Sequence, residues 1–254
     1  MALVERLTTI WYRVRDLHDA REFYTTVLGL AAPALAEGED CLELETGGDV
    51  RLALSTLGPE DLHGGGVPVF AVADLPAALA ALRDSAATVE PLPATDGRPG
   101  GAPGAYVYDP TGNRLQLAQA PAAATTPPSA AGLVAGIDFI WNLTLYPEWE
   151  AAHQFLRDTL GLTETFSATD PHWAIFDTGS STRLALGTPE DDQFGPAGAW
   201  VAVLEVHDMD AMLAHLRHHA IEHTEEEGDP GGRLVSLDDP DGNALQLHWT
   251  APES

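Results

Sequence analysis

Two glutamines occupy matching places in this chain. Gln116 lies in Asp109-Pro110-Thr111-Gly112-Asn113-Arg114-Leu115-Gln116-Leu117, and Gln246 in Asp239-Pro240-Asp241-Gly242-Asn243-Ala244-Leu245-Gln246-Leu247. In each stretch Pro presets φ for a tight turn and Gly supplies a positive φ. The period then becomes two, so the leucines point one way and the glutamine the other. A neutral amide is thus held at one defined spot on one strand face, twice over. Once buried it must be hydrogen-bonded, whether by a ligand, a water or a neighbouring side chain.

A second set of candidates lies on the first strand, where Thr9, Trp11 and Arg13 alternate and so share one face. A ring and a guanidinium on one face could hold a planar or anionic ligand by stacking and a forked hydrogen bond. Equally, Trp11 could pack on the other half of the chain and Arg13 could form a structural ion pair. Trp141, Asn142, His172 and Trp173 make a similar set later on, with core packing as the simpler account. Tyr106 and Tyr108 read as cross-strand packing.

The histidines are less telling. His215 and His219 are four apart and share a helix face, a spacing adequate for adventitious metal, with His218 and His223 nearby. Glu222 and the run Glu225-Glu226-Glu227 beside them point to a solvated polar face. His207 and His248 are single histidines beside strands and read as structural. No Ser-His-Asp or Cys-His arrangement stands out. The Gly-rich stretches Gly97–Gly104 and Gly228–Gly232 lack the spacing of a phosphate-binding loop.

These residues are positioned by a duplicated frame. Leu28-Gly29-Leu30 recurs as Leu160-Gly161-Leu162, and Arg51-Leu52-Ala53-Leu54 as Arg183-Leu184-Ala185-Leu186, both at an offset of 132. Val72-Ala73-Asp74 recurs as Val206-His207-Asp208 at 134, and the Asp-Pro turns recur at 130. Landmarks kept in order at nearly one offset mark an internal repeat. The expected layout is 1–120, a linker at 121–133 rich in Ala, Thr and Pro, and 134–254. Each half reads as strand, helix and strands, twice. The first runs from a strand at Leu7–Arg15 and a helix at Asp19–Leu28 to a strand at Val67–Val72, a helix at Leu75–Arg83 and the Asp-Pro turn. Helices of this kind cover one face of a sheet and leave the other to curl into a hollow.

Composition narrows the partners. The 254 residues carry 39 acidic and 12 basic side chains, a formal net charge of −27, and all the basic residues are Arg. Such a surface is repelled by phosphate backbones and anionic lipid headgroups, which argues against a nucleic-acid or membrane-surface role. Cys41 is a lone cysteine, so no intrachain disulfide forms. No apolar run is long enough to span a membrane. With no signal-like apolar segment at the N-terminus, a cytoplasmic location is expected.

The ordered landmarks resemble the vicinal oxygen chelate superfamily of glyoxalases, extradiol dioxygenases and bleomycin or fosfomycin resistance proteins. The matching residues are Val14-Arg15-Asp16 with Phe23-Tyr24 and Leu28-Gly29, Val72-Ala73-Asp74 before a helix, both Asp-Pro-x-Gly-Asn turns, and Phe155, Leu160-Gly161 and Val206-His207-Asp208. The resemblance implies an α+β fold. Four tandem βαβββ units would form two cupped mixed sheets, with the helices outside and small-molecule cavities within. Metal-dependent members place ligands at positions that here hold Thr9, Val67 and Gln116. In the second half they hold Val201, Gln246 and either Phe139 or Trp141.

A divalent metal wants about three imidazole or carboxylate donors, and these positions supply none. The reading is therefore a small-molecule-binding protein of the sequestration or resistance type, with no cofactor and no metal. Its expected ligand residues are Thr9, Trp11, Arg13, Gln116, Trp141, Asn142 and Gln246. The alternatives are a lyase, isomerase or dioxygenase using an atypical divalent metal site drawn from Asp138, His172 or Gln246, and a scaffold whose hollows its own side chains fill. The chain would act as a monomer with an internal pseudo-twofold or as a homodimer.

Overall fold

The alternating segments assemble into two mixed sheets. A computed structural model describes residues 2–36, 38–58, 64–92, 103–120, 132–169, 172–189, 198–228 and 232–250. Most of the expected linker (121–131) and most of the Gly-rich stretch at Gly97–Gly104 (97–102) lie outside the described residues. In chain order the first half holds β1 (Arg6–Arg13), α1 (Leu17–Glu22), β2 (Cys41–Leu44), β3 (Arg51–Ser55), β4 (Gly66–Val72), α2 (Leu75–Leu82), β5 (Thr88–Leu92), β6 (Gly104–Tyr108) and β7 (Arg114–Gln119). The second holds β8 (Val134–Leu143), α3 (Glu148–Gln154), β9 (Thr163–Thr169), β10 (His172–Asp177), β11 (Arg183–Gly187), β12 (Trp200–Val206), α4 (Met209–His218), β13 (Thr224–Gly228), β14 (Gly232–Asp238) and β15 (Ala244–Trp249).

The first sheet runs β2-β3-β1-β4-β7-β6-β5, and the second β9-β10-β11-β8-β12-β15-β14-β13. One ladder pair, Trp200 with Gly66, joins them. In every unit the opening strand lies parallel to the closing one, as β1 does to β3 and β12 to β15, while the opening strands of paired units run antiparallel. This is the expected α+β arrangement of tandem units, with one irregularity. Between α1 and β2 the described residues form a single bridge, Ala31 with Glu45, where the third unit has β9. Pro33 and Gly38 in that stretch disfavour a strand.

The Val-x-Asp landmarks turn out to be helix starts. The side chains of Asp16, Asp74 and Asp208 accept from the backbone N–H groups of His18, Ala77 and Ala211, capping α1, α2 and α4. Helices α1 and α3 then widen into π-helical turns at Phe23–Val27 and Phe155–Thr159. They close with Leu28 N–H on the Phe23 carbonyl at 3.2 Å and Leu160 N–H on the Phe155 carbonyl at 3.0 Å. Gly29 and Gly161 follow at φ 72° and 79°, the left-handed conformation that glycine supplies.

Three strands escape the sequence pattern: β5, β9 and β13. All three are sheet edges. An edge strand with much of its surface in water carries no hydrophobic alternation, so pairing with its neighbour alone defines it. The Glu225-Glu226-Glu227 run, read above as a solvated face, is the middle of β13.

One large apolar cluster lies on the helix side of both sheets and spans the two halves, from Ile10, Phe23 and Phe70 to Ile140, Trp200 and Leu213. Two smaller clusters occupy the opposite, concave faces. The Asp-Pro turns lock the halves together reciprocally. In the first turn Asp109 accepts from the Asn113 backbone and side chain at 2.9 Å, and the same Asn113 amide donates to Thr144 Oγ1 across the boundary. In the second, Asp239 holds Asn243 likewise, and Asn243 Nδ2 donates to the Arg13 carbonyl at 3.0 Å. Arg15 grips this turn from outside through Asp241.

From the helix side Tyr24 Oη donates to Asp239 Oδ2 at 3.0 Å. Burial pushes the Asp239 carboxyl above its ordinary value, against the pull of the N–H groups of Asn243 and Asp241 and of the Tyr24 hydroxyl. A carboxyl raised on folding contributes stability that is complete below its unfolded pKa of about 4 and fades as pH rises through the folded value. Asp239→Asn should therefore lose less stability than wild type between about pH 4 and 7. Midpoints measured across that range check this, and a constant gap between the two proteins would contradict it.

Candidate functional site

The first concave face is built by β1, β3, β4, β6 and β7. Thr9, Trp11 and Arg13 stand on it by strand alternation, as do Val67, Val69, Ala53, Tyr106, Gln116 and Ala118. Thr9 pairs with Val69, and Val69 with Gln116, so these three lie in one row across the sheet. Val67 lies one row along, opposite Trp11. The central contact is between Trp11 and Gln116: indole Nε1 donates to Oε1 at 3.1 Å, with both side chains buried. The Trp11 ring lies 6.2 Å from Tyr106, and Gly58 passes over it. A Cβ at Gly58, where φ is 128°, would come within 2.8 Å of Trp11 Cη2. The glycine thus lets backbone close over the indole. Arg114 stacks on Tyr106 at 5.4 Å and on Tyr108 at 4.9 Å.

The second face repeats the arrangement. Phe139 pairs with Val203 and Val203 with Gln246, so Phe139 is the counterpart of Thr9 and Trp141 that of Trp11. The open choice of register is thereby settled. Trp141 Nε1 donates to Gln246 Oε1 at 2.7 Å, and Gln246 Nε2 donates to Ser236 Oγ at 3.1 Å. Trp173 fills part of this hollow, over Gly187, where a Cβ would collide with its ring.

Not every candidate shares these faces. Asn142 is wholly buried on the helix side, donating to the Ala199 carbonyl at 3.0 Å and accepting from Thr144 Oγ1 at 2.9 Å. Adjacent strand residues point opposite ways, so Asn142 parts from Trp141. His172 lies against Tyr146 and Trp149, with ring centroids 5.0 and 5.2 Å away. Asp138, at a bulge in β8, reaches the second face but is already engaged there, with Arg183 Nη2 at 2.6 Å and His248 Nδ1 at 3.2 Å. Burial alone would raise the Asp138 carboxyl, but His248 and Arg183 outweigh it and hold it below its usual value. Arg183 also lies over the Phe139 ring at 3.8 Å. His248 was legible as a face residue, since it stands two beyond Gln246.

The His215–His219 pair does sit together, 4.7 Å between rings, but His215 Nε2 is 2.7 Å from the Thr26 carbonyl. A groove of about 540 Å³ opens at the start of α4, away from both Trp–Gln pairs, lined by Glu205, His207, Asp208, Asp210, Arg233 and Trp249. Arg233 there is already engaged by Asp210 and Glu225.

The metal-ligand positions can now be tested on their chemistry. Thr9, Val67 and Gln116 offer one hydroxyl and one amide oxygen, and that oxygen already accepts from an indole. Phe139, Val201 and Gln246 offer only an amide oxygen, again taken by an indole. Among the described residues no three His, Cys, Asp or Glu side chains converge as metal ligands would. These donors do not fit a divalent cation.

Fold and site together define a tandem cupped-sheet protein with a buried amide–indole pair at the heart of each cup. The model of the Glyoxalase/Bleomycin resistance protein/Dioxygenase superfamily matches residues 6–117 and 145–247, and the chain belongs to that superfamily. Similar solved structures include the Mn(II)-bound glyoxalase from Novosphingobium aromaticivorans, at 17% identity and TM-score 0.69 over 98% of this chain and 83% of that one. The 2,3-dioxygenase LapB from Pseudomonas sp. KL28 aligns at 14% identity and TM-score 0.70, covering 99% and 94%. An extradiol ring-cleaving dioxygenase from B. fuscum aligns at 16% and 0.69, covering 97% and 72%. At these identities the likeness is one of fold. No curated protein matches the sequence. No helix among the described residues is long and apolar enough to cross a membrane.

Proposed function

We propose that this chain binds a small molecule without the metal centre used by metal-dependent members of its superfamily, as a sequestration or resistance protein would. One observation carries the reading. The oxygen that would have to ligate a metal in each half, Gln116 Oε1 or Gln246 Oε1, is instead the acceptor of a tryptophan N–H. A carboxylate at that place would draw a cation, whereas an amide tied to an indole is neutral and has one of its oxygen's two lone pairs already engaged. Thr9 and Phe139, in the same rows, add no imidazole or carboxylate. What remains on each concave face is a set of aromatic side chains with a few polar groups, the composition common in ligand sites.

The reading is tested on purified protein. It predicts substoichiometric Mn, Fe and Zn by elemental analysis, and a melting midpoint unchanged by EDTA. It also predicts a rise in midpoint with some member of a panel of neutral, cationic and anionic aromatic compounds. One tightly held metal per chain, lost to chelator together with stability, would sink it. The enzyme alternative draws support from the glyoxalase and dioxygenase structures, which share the fold. Its atypical metal site would be drawn from Asp138, His172 or Gln246, and each of these already has a neighbour: Asp138 has His248, His172 has Tyr146 and Trp149, and Gln246 has Trp141.

A further inference from the structure

The groove at the start of α4 lies where the two halves stop matching. In the first half the corresponding place is filled from within the chain. Gln119, at the end of β7, turns its side chain onto the start of α2. Its Oε1 accepts from the Leu75 N–H at 3.1 Å, and its Nε2 donates to the Ala73 carbonyl at 2.6 Å and the Val72 carbonyl at 3.3 Å. One planar amide thus meets both an orphan helix N–H and the carbonyls that precede it. The repeat carries Leu75 to Met209, at the offset of 134 that carries Asp74 to Asp208. It carries Gln119 to Trp249, at the offset of 130 that carries Gln116 to Gln246.

The second half keeps the helix start and lacks the amide. Asp208 accepts from the Ala211 N–H as Asp74 does from Ala77, so in both halves the first helical N–H needs another acceptor. An indole has a donor and no acceptor, so Trp249 cannot supply one to Met209. Among the described residues no other side chain does so. Val206, His207, Met209 and Trp249 instead line the groove of about 540 Å³. The backbone positions that hold an amide in one half therefore border a cavity in the other.

The lining selects among ligands. Trp249 is half-buried and offers a flat group a ring to lie against. A helix N-terminus alone would favour an anion. Here Glu205, Asp208 and Asp210 stand around it, and the Arg233 guanidinium is already held by Asp210 and Glu225. A carboxylate is repelled by that ring of acids, and a neutral amide is not.

We propose that this groove binds an aromatic primary carboxamide. Its amide stands where that of Gln119 stands in the first half, accepting from the Met209 N–H, and its ring lies on Trp249. The site is apart from both cups, and so is additional to the ligand site proposed above.

The probes are benzamide, benzoate and N,N-dimethylbenzamide, titrated into the ¹⁵N-labelled protein and followed by the backbone amide of Met209 and the indole of Trp249. Benzamide should move both signals saturably. Benzoate, repelled by the acids, and the dimethyl amide, which has lost its donors, should each bind at least about tenfold more weakly. Trp249→Gln rebuilds the first-half arrangement, so it should abolish the benzamide response and slow hydrogen exchange at Met209. Asp210 is exposed and can be neutralised without touching the core. Asp210→Asn should narrow the preference for benzamide over benzoate severalfold, by removing one repelling charge and freeing Arg233. Equal binding of acid and amide would overturn the proposal. So would a Trp249→Gln protein that binds benzamide like wild type, or an Asp210→Asn protein with an unchanged preference. Benzamide shifts at the indoles of Trp11 or Trp141 with none at Met209 would also overturn it, while supporting the binding of ligands in the cups.

Discussion

Gly47→Ala should lose about 4 kcal/mol of stability, whereas Gly112→Ala should lose only about 1 kcal/mol. Both glycines sit at positive φ, 86° and 94°, so each alanine carries the same left-handed strain. Their surroundings differ. A Cβ on Gly112 meets nothing within 4 Å, while one on Gly47 would drive into the carbonyl oxygen of Ala135. That carbonyl belongs to β8, the central strand of the other half, and cannot swing away as a side-chain tip would. The hairpin before β3 is therefore seated directly on the second half. Gly179, at the matching place in the repeat, meets the Glu5 carbonyl in the same way. For a chain of this size the two substitutions should lower the melting midpoint by roughly 8–16 °C and roughly 2–4 °C. Equal losses would mean that the halves are not docked through this hairpin.

Such contacts explain what the sequence could and could not disclose. The turns at Asp109 and Asp239 were legible as turns because Pro and Gly fix local geometry. Their second task, holding the opposite half through Asn113 and Asn243, depends on residues 31 and 230 positions away and leaves no local mark. The strands with one buried face were legible from alternation. The edges β5, β9 and β13 were not, since a strand paired on one side needs no apolar face. Gln116 and Gln246 could be placed on a concave face by period alone, along with Thr9, Trp11 and Arg13. That Trp11 and Trp141 would satisfy those amides required the parallel pairing of β4 with β7 and of β12 with β15, which sets the rows side by side. Asn142 shows the limit of grouping by proximity in sequence, because one residue's step along a strand moves a side chain to the other face.

Removing Trp11 should have the largest effect of any single change in the first hollow. Trp11→Ala deletes a ring that is 2% exposed and should cost about 3–5 kcal/mol through the cavity it leaves beneath Gly58 and beside Tyr106. Part of that cost is polar, because Gln116 Oε1 loses its donor in a buried setting. Substituting both partners separates the terms. Trp11→Phe keeps most of the ring and orphans the amide oxygen, at about 1–3 kcal/mol plus the smaller ring's packing loss. Gln116→Leu orphans the indole N–H instead. The double variant Trp11→Phe/Gln116→Leu leaves neither group unpaired, so it should be more stable than the sum of the two losses predicts, by about 1 kcal/mol or more. The same cycle on Trp141 and Gln246 should show a smaller recovery, since Gln246 Nε2 also donates to Ser236 and leucine would orphan that hydroxyl's contact. Urea unfolding of the four proteins in each cycle reads the coupling directly. Additive losses in the first hollow would mean that the indole and amide are not bonded in solution, and the amide oxygen would then be open to a cation, the chemistry that the pair is here proposed to replace.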